Sequence, residues 1–374
     1  MPKNSSDFPE QIMDVDSNKF LIIGDLHFRE ETMEDNHRVY EQILDIARSN
    51  FLSAIIILGD TLHTNETAKQ APFDLASDLI INLSREAKTY VLIGNHDYIN
   101  NSQFLTDKHF FNPLKYIDNI TIVDTLIDET IGNNDQQFVF CPYVPPERFH
   151  EALETVNWKN ATAIFAHTEV PNCMRDNDTL VGDDEGSAWS EDYPPLISGH
   201  IHKSQKIGNV WFPGSVQQVT RSDTTEKCVY IVDFNAVSDD PDELLAIQKI
   251  KVDVKTYKKI FVDISNLNLD TLKEEANNHK VVTSIYCSQE EWAKFMKGPE
   301  YTTLKKAKVM MFPIFNDVPI DASIAVEQEE ESEQSQTTER KKYKFRNFKE
   351  IFSDVVSKKS AIVQEVYGKT YKSE

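Results

Sequence analysis

Short apolar runs in this chain repeatedly end in a tight polar cluster. Residues 19–23 (KFLII) run into GDLH (24–27), 54–58 (AIIIL) into GDTLH (59–63), and 89–93 into GNHD (94–97). Residues 162–166 run into AHTE (166–169), and Ile197 precedes GHIH (199–202). Such runs read as buried strands. In an α/β sheet the carboxyl ends of the strands open on a common crevice where ligands bind. The pattern therefore predicts that Asp25, His27, Asp60, His63, Asn95, His96, His167, His200 and His202 meet in space. Six of the ten histidines lie in these stretches. One such histidine alone would more often be an ordinary structural residue, but five clusters in the same strand-end setting are not explained that way.

Between the first three runs, residues 34–50 and 72–86 carry helical patterns. Strand, helix, strand, helix, strand at this spacing predicts a βαβαβ unit with a parallel sheet. Further strands are expected at 120–123, 137–140, 162–166, 207–212 and 228–233; several are joined by short turns, so the second half is expected to form a more mixed or antiparallel sheet. The chain thus divides into a flexible N-terminus (1–18) and a large α/β domain (19–250). Near residue 250 the character changes. Strands at 259–264, 280–287 and 308–315 alternate with helices at 269–279 and 289–297, which predicts a small α+β module over 251–322. Residues 323–340 contain EQEEESEQSQTTE, a polar acidic stretch read as a disordered linker. Residues 341–374 follow as a helical segment whose apolar positions, Phe348, Ile351, Phe352, Val355 and Val356 among them, recur at spacings of three and four. That stripe suits a helix folded back on its own domain or one that binds a partner.

The formal charge of −22 and pI near 4.9 argue against a general nucleic-acid coating protein. They leave DNA open as a substrate, because bound cations can reverse the local sign. The cysteines at 141, 173, 228 and 287 form no CxxC pair, which makes a zinc ribbon or redox motif a poor fit and suits a reducing interior. The polar start MPKNSSDFPE has no signal-peptide core, and no apolar run approaches the ~20 residues of a membrane span. The expectation is a soluble intracellular protein.

Carboxylates, imidazoles and an amide oxygen together suit divalent Mn, Fe, Zn or Ni. The clusters hold no cysteine, which disfavours a structural zinc. The number of ligands fits two ions better than one. Two ions ~4 Å apart grip a phosphate and activate a water between them, which is chemistry for hydrolysing a phosphoester.

In their order DxH, GD, GNHD, isolated His and GHxH, these motifs resemble the calcineurin-like binuclear metallophosphoesterases over residues 19–235. The resemblance implies a sandwich of two central β-sheets flanked by helices. It implies that Asp25, His27 and His202 bind one metal, that Asn95, His167 and His200 bind the other, and that Asp60 bridges them. His96 would face the phosphate as general acid or charge stabiliser, and Asp97 would orient its neighbours. GDTLH and GNHD are unlike the GDxxDRG and GNHE of the family's protein phosphatases. The tyrosine ligand of purple acid phosphatases is not evident.

GDTLH is similar to the GDLFH of SbcD-type DNA double-strand-break-repair nucleases, where the added histidine, here His63, contacts the substrate phosphate. WFPGSVQQV (211–219) resembles the YPGSPQ segment of that group. The resemblance implies a Mn²⁺-dependent DNA nuclease with exo- and endonuclease activity, in which the 251–322 module is a small α+β capping domain. Its partner would be an SbcC-type ATPase bound through residues 341–374, and it would form a homodimer through helices of the catalytic domain. Lys203, Lys206 and Arg221 follow the metal motifs and are candidate DNA contacts or ordinary surface charges. Two other readings keep the same residues: a phosphodiesterase or phosphatase for nucleotides and other small phosphoesters, and a non-catalytic scaffold for an ATPase.

Overall fold

The computed structural model describes residues 18–315 except 66, 133–135, 183–185, 237 and 239–244. The acidic linker, the helical segment 341–374, the end of the 251–322 region and all of the N-terminus but Asn18 lie outside the described residues.

The chain begins with β1 (Lys19–Ile23), α1 (Met33–Arg48), β2 (Ala54–Ile57), α2 (Gln70–Leu83), β3 (Lys88–Leu92) and β4 (Ile120–Val123). The four strands pair in parallel, in order, because each crossover is long enough to return to the same edge. β5 (Ile127–Thr130), β6 (Gln137–Phe140), α3 (Phe149–Leu153), β7 (Ala163–Ala166), β8 (Leu196–Ser198), β9 (Gln205–Ile207) and β10 (Val210–Phe212) follow. They form a mixed sheet of order β5-β6-β7-β8-β10-β9. β11 (Cys228–Asp233) and β12 (Ala246–Lys251) return to the first sheet as antiparallel strands beside β1.

The two sheets pack face to face through aromatic side chains supplied by alternate strand positions. Tyr90 stacks on Phe140 with ring centroids 4.2 Å apart, and Phe20 meets Phe138 at 4.7 Å. Each is wholly buried and contributes roughly 1.5–3 kcal/mol. α1 and α2 cover the far side of the first sheet, with Val39, Ile43, Leu44 and Ala47 on the inner stripe of α1. Phe149, Leu153 and Trp158 cover the second sheet. This is a sandwich of two sheets flanked by helices, the architecture that the order of the motifs implied.

Beyond β12, β13 (Tyr257–Asp263), α4 (Leu269–Asn278), β14 (Lys280–Cys287), α5 (Gln289–Lys297), α6 (Pro299–Lys306) and β15 (Met310–Phe315) form a three-stranded parallel sheet with its own core. The helices pack on one face of it around Leu272, Val281, Ile285, Phe295 and Leu304.

The expected single strand at 207–212 is instead the hairpin β9–β10, turned by Gly208 at φ 55°. β12 was not anticipated, because an edge strand reading AIQKIK is half solvated and lacks an apolar run. α6 was missed for a similar reason: of its eight residues only Leu304 is buried.

Candidate metal centre

The polar clusters meet as expected, at the ends of β1, β2, β3, β7 and β8. The backbone there is held in conformations that side chains seldom adopt. His27 and Asp60 both have φ 46° and His200 has φ 78°. Such strain persists only where surroundings over-determine it, and it concentrates at functional sites. The glycines before the ligands are demanded by space. A Cβ on Gly94 would lie 2.2 Å from Asp60 Oδ1, and one on Gly59 (φ 103°) would lie 2.4 Å from His167 Nδ1.

Two nests of donor atoms share one carboxylate. In the first, His27 Nε2 lies 2.9 Å from His202 Nε2, 3.9 Å from Asp25 Oδ2 and 3.6 Å from Asp60 Oδ2. His202 Nε2 is 3.6 Å from Asp25 Oδ2. In the second, Asn95 Oδ1 lies 3.1 Å from His167 Nε2 and 2.9 Å from His200 Nδ1. His167 Nε2 is 3.4 Å from the same Asp60 Oδ2. Asp60 thus stands between the nests, where a bridging carboxylate would have to be.

The donor set fits divalent cations. Its opposed ring nitrogens and carboxylate oxygens present lone pairs toward one another, an arrangement that a cation between them resolves. Tautomers point the same way. His167 Nδ1 is 2.7 Å from the Leu58 carbonyl and must donate to it, leaving Nε2 as ligand. His202 Nδ1 lies 2.5 Å from Asp176 Oδ2, which likewise holds the proton away from Nε2. Burial, with His202 next, pushes His27 well below its ordinary pKa, and burial, with His167 next, lowers His200 to about 4, so these two rings stay neutral as ligands require. Burial acts the same way on the other two rings, but Asp60 outweighs it and raises His167 to about 9, and Asp176 outweighs it and raises His202, so a cation would have to displace a proton from those two. Burial raises Asp25 to about 6. Burial acts the same way on Asp60, but His167 and His27 outweigh it and hold that carboxyl well below its usual range.

His96 lines the cleft over the nests, a space of about 300 Å³ that also meets Glu169, Arg175 and Asp176. Its backbone N–H donates to Asp60 Oδ1 at 2.8 Å, and its Nδ1 donates to the His63 carbonyl at 2.8 Å. Nε2 is the ring nitrogen left for substrate. His63 stacks on His96 with ring centroids 5.6 Å apart and the rings nearly parallel, 6° between their planes. Burial and the neighbouring Arg29 push His63 down to about 4.

Asp97 lies under the site rather than in it. It accepts from the backbone N–H groups of Thr61, Leu62 and Gly94 at 3.2, 2.9 and 3.0 Å. It therefore ties the loop after β2 to the loop after β3. Burial, with Asp60 next, raises it to about 7.

Several positioning residues were not anticipated from sequence. Asp176 and the buried Asp223 flank His202 Nδ1. Lys227, almost wholly buried, donates to the His202 carbonyl at 3.3 Å and to Ser215 Oγ at 2.9 Å. Glu169, quoted in AHTE but given no role, pairs with Arg175 and lies 3.8 Å from His200 Nε2. The 211–219 segment supports the site from behind: Val216 N–H donates to the Asp25 carbonyl at 3.1 Å and Gln217 Nε2 to the Leu26 carbonyl at 2.7 Å. Of the candidate DNA contacts, Lys203 pairs with Asp178, and the Arg221 guanidinium lies 4.6 Å from the Phe312 ring. Lys206 sits on β9 and lines a different cleft, with Trp211 and Tyr230.

A two-sheet sandwich with paired Asp/His nests at its strand ends defines a metallophosphoesterase. Comparison with known proteins agrees. Residues 18–204 match the model of the calcineurin-like phosphoesterase family. "Putative phosphoesterase 078R" of Invertebrate iridescent virus 3 is 33% identical over 290 residues, 76% of this chain and 80% of that protein. "Putative phosphoesterase 244L" of Invertebrate iridescent virus 6 is 35% identical over 271 residues, 70% of this chain and 92% of that protein. The chain belongs to the calcineurin-like phosphoesterase family and is a metal-dependent phosphoesterase. Among the described residues no helix is long and apolar enough to cross a membrane.

Proposed function

We propose that this chain is an intracellular Mn²⁺-dependent DNA nuclease of the SbcD type. The observation that supports the reading is the His63–His96 pair. It stands where the metal cleft meets a second cleft of about 630 Å³, walled by the catalytic loops and by residues of the 255–310 region. A small ester needs only the first cleft, whereas a polymer needs room on both sides of the scissile phosphate.

Asp25, His27, His202 and Asp60 would hold one cation, and Asn95, His167, His200 and Asp60 the other. Two bound cations would polarise the phosphate and supply a nucleophile at neutral pH. His96, oriented by the His63 carbonyl, delivers a proton or hydrogen bond through Nε2 to the departing sugar oxygen. His63 packs its ring against that of His96 and so helps hold it over the nests. Asp176 and Leu58 keep the protons of His202 and His167 on the far ring nitrogens.

Residues 341–374 would bind an SbcC-type ATPase, and that partner would supply DNA affinity that a chain of net charge −22 lacks. The test is hydrolysis of linear double-stranded DNA and of an aryl phosphodiester with Mn²⁺, for wild type and Asp60→Ala. DNA cleavage that disappears in the variant supports the nuclease reading. Aryl ester cleavage with DNA untouched, both with and without the ATPase, favours the small-phosphoester reading. That reading draws on the overall acidity and on lysines around the second cleft already engaged by carboxylates. Deleting 327–374 would leave a small-molecule enzyme intact and remove any partner-dependent activity from a nuclease.

A further inference from the structure

Arg29 follows the first metal cluster by two residues and stands on the wall of the second cleft. It is half-buried, and among the described residues it has no carboxylate partner. Its guanidinium instead meets His63 Nε2 at 3.4 Å and the Val219 carbonyl at 3.5 Å. The other cations of the cleft are engaged. Lys255 lies 3.2 Å and Lys308 4.0 Å from Glu34, and Lys280 lies 3.0 Å from Asp35. A guanidinium that has lost water without gaining an anion is held at a cost, and its planar fork matches two oxygens of a phosphate.

The second cleft begins at His63, whose ring stacks on His96 over the metal nests. A group bound at Arg29 would therefore sit next to the scissile phosphate, separated from it by little more than one imidazole. We infer that Arg29 is a specificity-determining residue that binds a second phosphate of the substrate, adjacent in the chain to the one being hydrolysed. The site then selects substrates carrying two phosphates on one nucleoside over isolated diesters. This rests on the phosphodiesterase reading of the metal centre, but not on DNA being the substrate.

The experiment uses the full chain loaded with Mn²⁺, as wild type, Arg29→Gln and Arg29→Met. Metal content and hydrolysis of bis(4-nitrophenyl) phosphate establish whether the centre is intact. Thymidine 3′,5′-bisphosphate and thymidine 5′-monophosphate are then compared as inhibitors of that hydrolysis. In the wild type the bisphosphate should bind about ten- to a hundredfold more tightly, as expected for charge-assisted hydrogen bonds to one phosphate. Both variants should keep their metal and aryl diesterase activity and lose that preference. A wild type without the preference, or variants that retain it, would overturn the inference. So would loss of metal from both variants, since Arg29 would then be a support of the fold. A failed nuclease reading looks different: wild type leaves oligonucleotides uncut while the bisphosphate preference stands.

Discussion

The strand-end loops of the sandwich and the module over 257–315 are built on opposite principles. In the loops, charged side chains are buried, three of the proposed ligand and bridging residues have positive φ, and nearly every contact joins residues far apart in sequence. In the module, helices begin with local caps. Asn268 accepts from the N–H groups of Asp270 and Thr271, and Ser288 and Glu291 form a reciprocal capping box. Its core is apolar and its sheet regular. The module is held by the cheapest means available. The loops carry burial and strain that a cation-binding function explains.

That contrast is broken most directly by removing the carboxylate the two nests share. Asp60→Ala should lower aryl phosphodiester hydrolysis by about a thousandfold or more, beyond the 10–100-fold cost of losing an outer partner of a ligand. Metal content per chain should fall with it. A variant that keeps both ions would remove Asp60 from its bridging place. His96→Ala comes next. It should retain metal yet lose about 10²–10⁴ in kcat. Unchanged turnover in the metal-loaded variant would leave His96 without a part in the chemistry.

Asp176→Asn separates the nests from each other. Asp176 fixes the tautomer of His202, whereas His167 is fixed by a backbone carbonyl that no side-chain change removes. One of the two ions should therefore bind about 10–100-fold more weakly, and the other should be little changed. Equal weakening of both, seen in a metal titration, would mean that Asp176 supports the whole loop rather than one ligand.

The proposed ligands were legible because each stands at the end of an apolar run, and periodicity marks such runs without any knowledge of contacts. Their partners were not. Asp176 lies in an irregular loop 26 positions before His202, and nothing near it distinguishes it from Asp178, which merely pairs with Lys203. Lys227 precedes a strand like any polar flank, and its burial follows from the PGS turn folding over it. Arg29 was equally silent, since an arginine after DLHF acquires meaning only when Val219 and the second cleft close around it. In the fold, the parallel strands were readable from their crossovers. β5, β8, β9 and β12 were missed or merged because edge and very short strands carry little apolar pattern.

The smallest expected effect tests the module's side of the contrast. Ser288→Ala removes one half of the capping box, in which Ser288 Oγ accepts from Glu291 N–H at 3.2 Å and Glu291 Oε2 accepts from Ser288 N–H at 2.8 Å. The loss should be about 1 kcal/mol. Metal binding and turnover should not change, because no atom of α5 reaches the nests or either cleft. The shift in melting temperature then reports how the module folds. If it melts together with the sandwich, 1 kcal/mol spread over the larger entropy of unfolding lowers Tm by roughly 2 °C. If it melts alone, the same loss lowers its own transition by roughly 4–8 °C and leaves the other in place. Calorimetry of the variant beside the wild type distinguishes the two. An accompanying fall in activity would show that the module does more at the active site than wall one side of the second cleft.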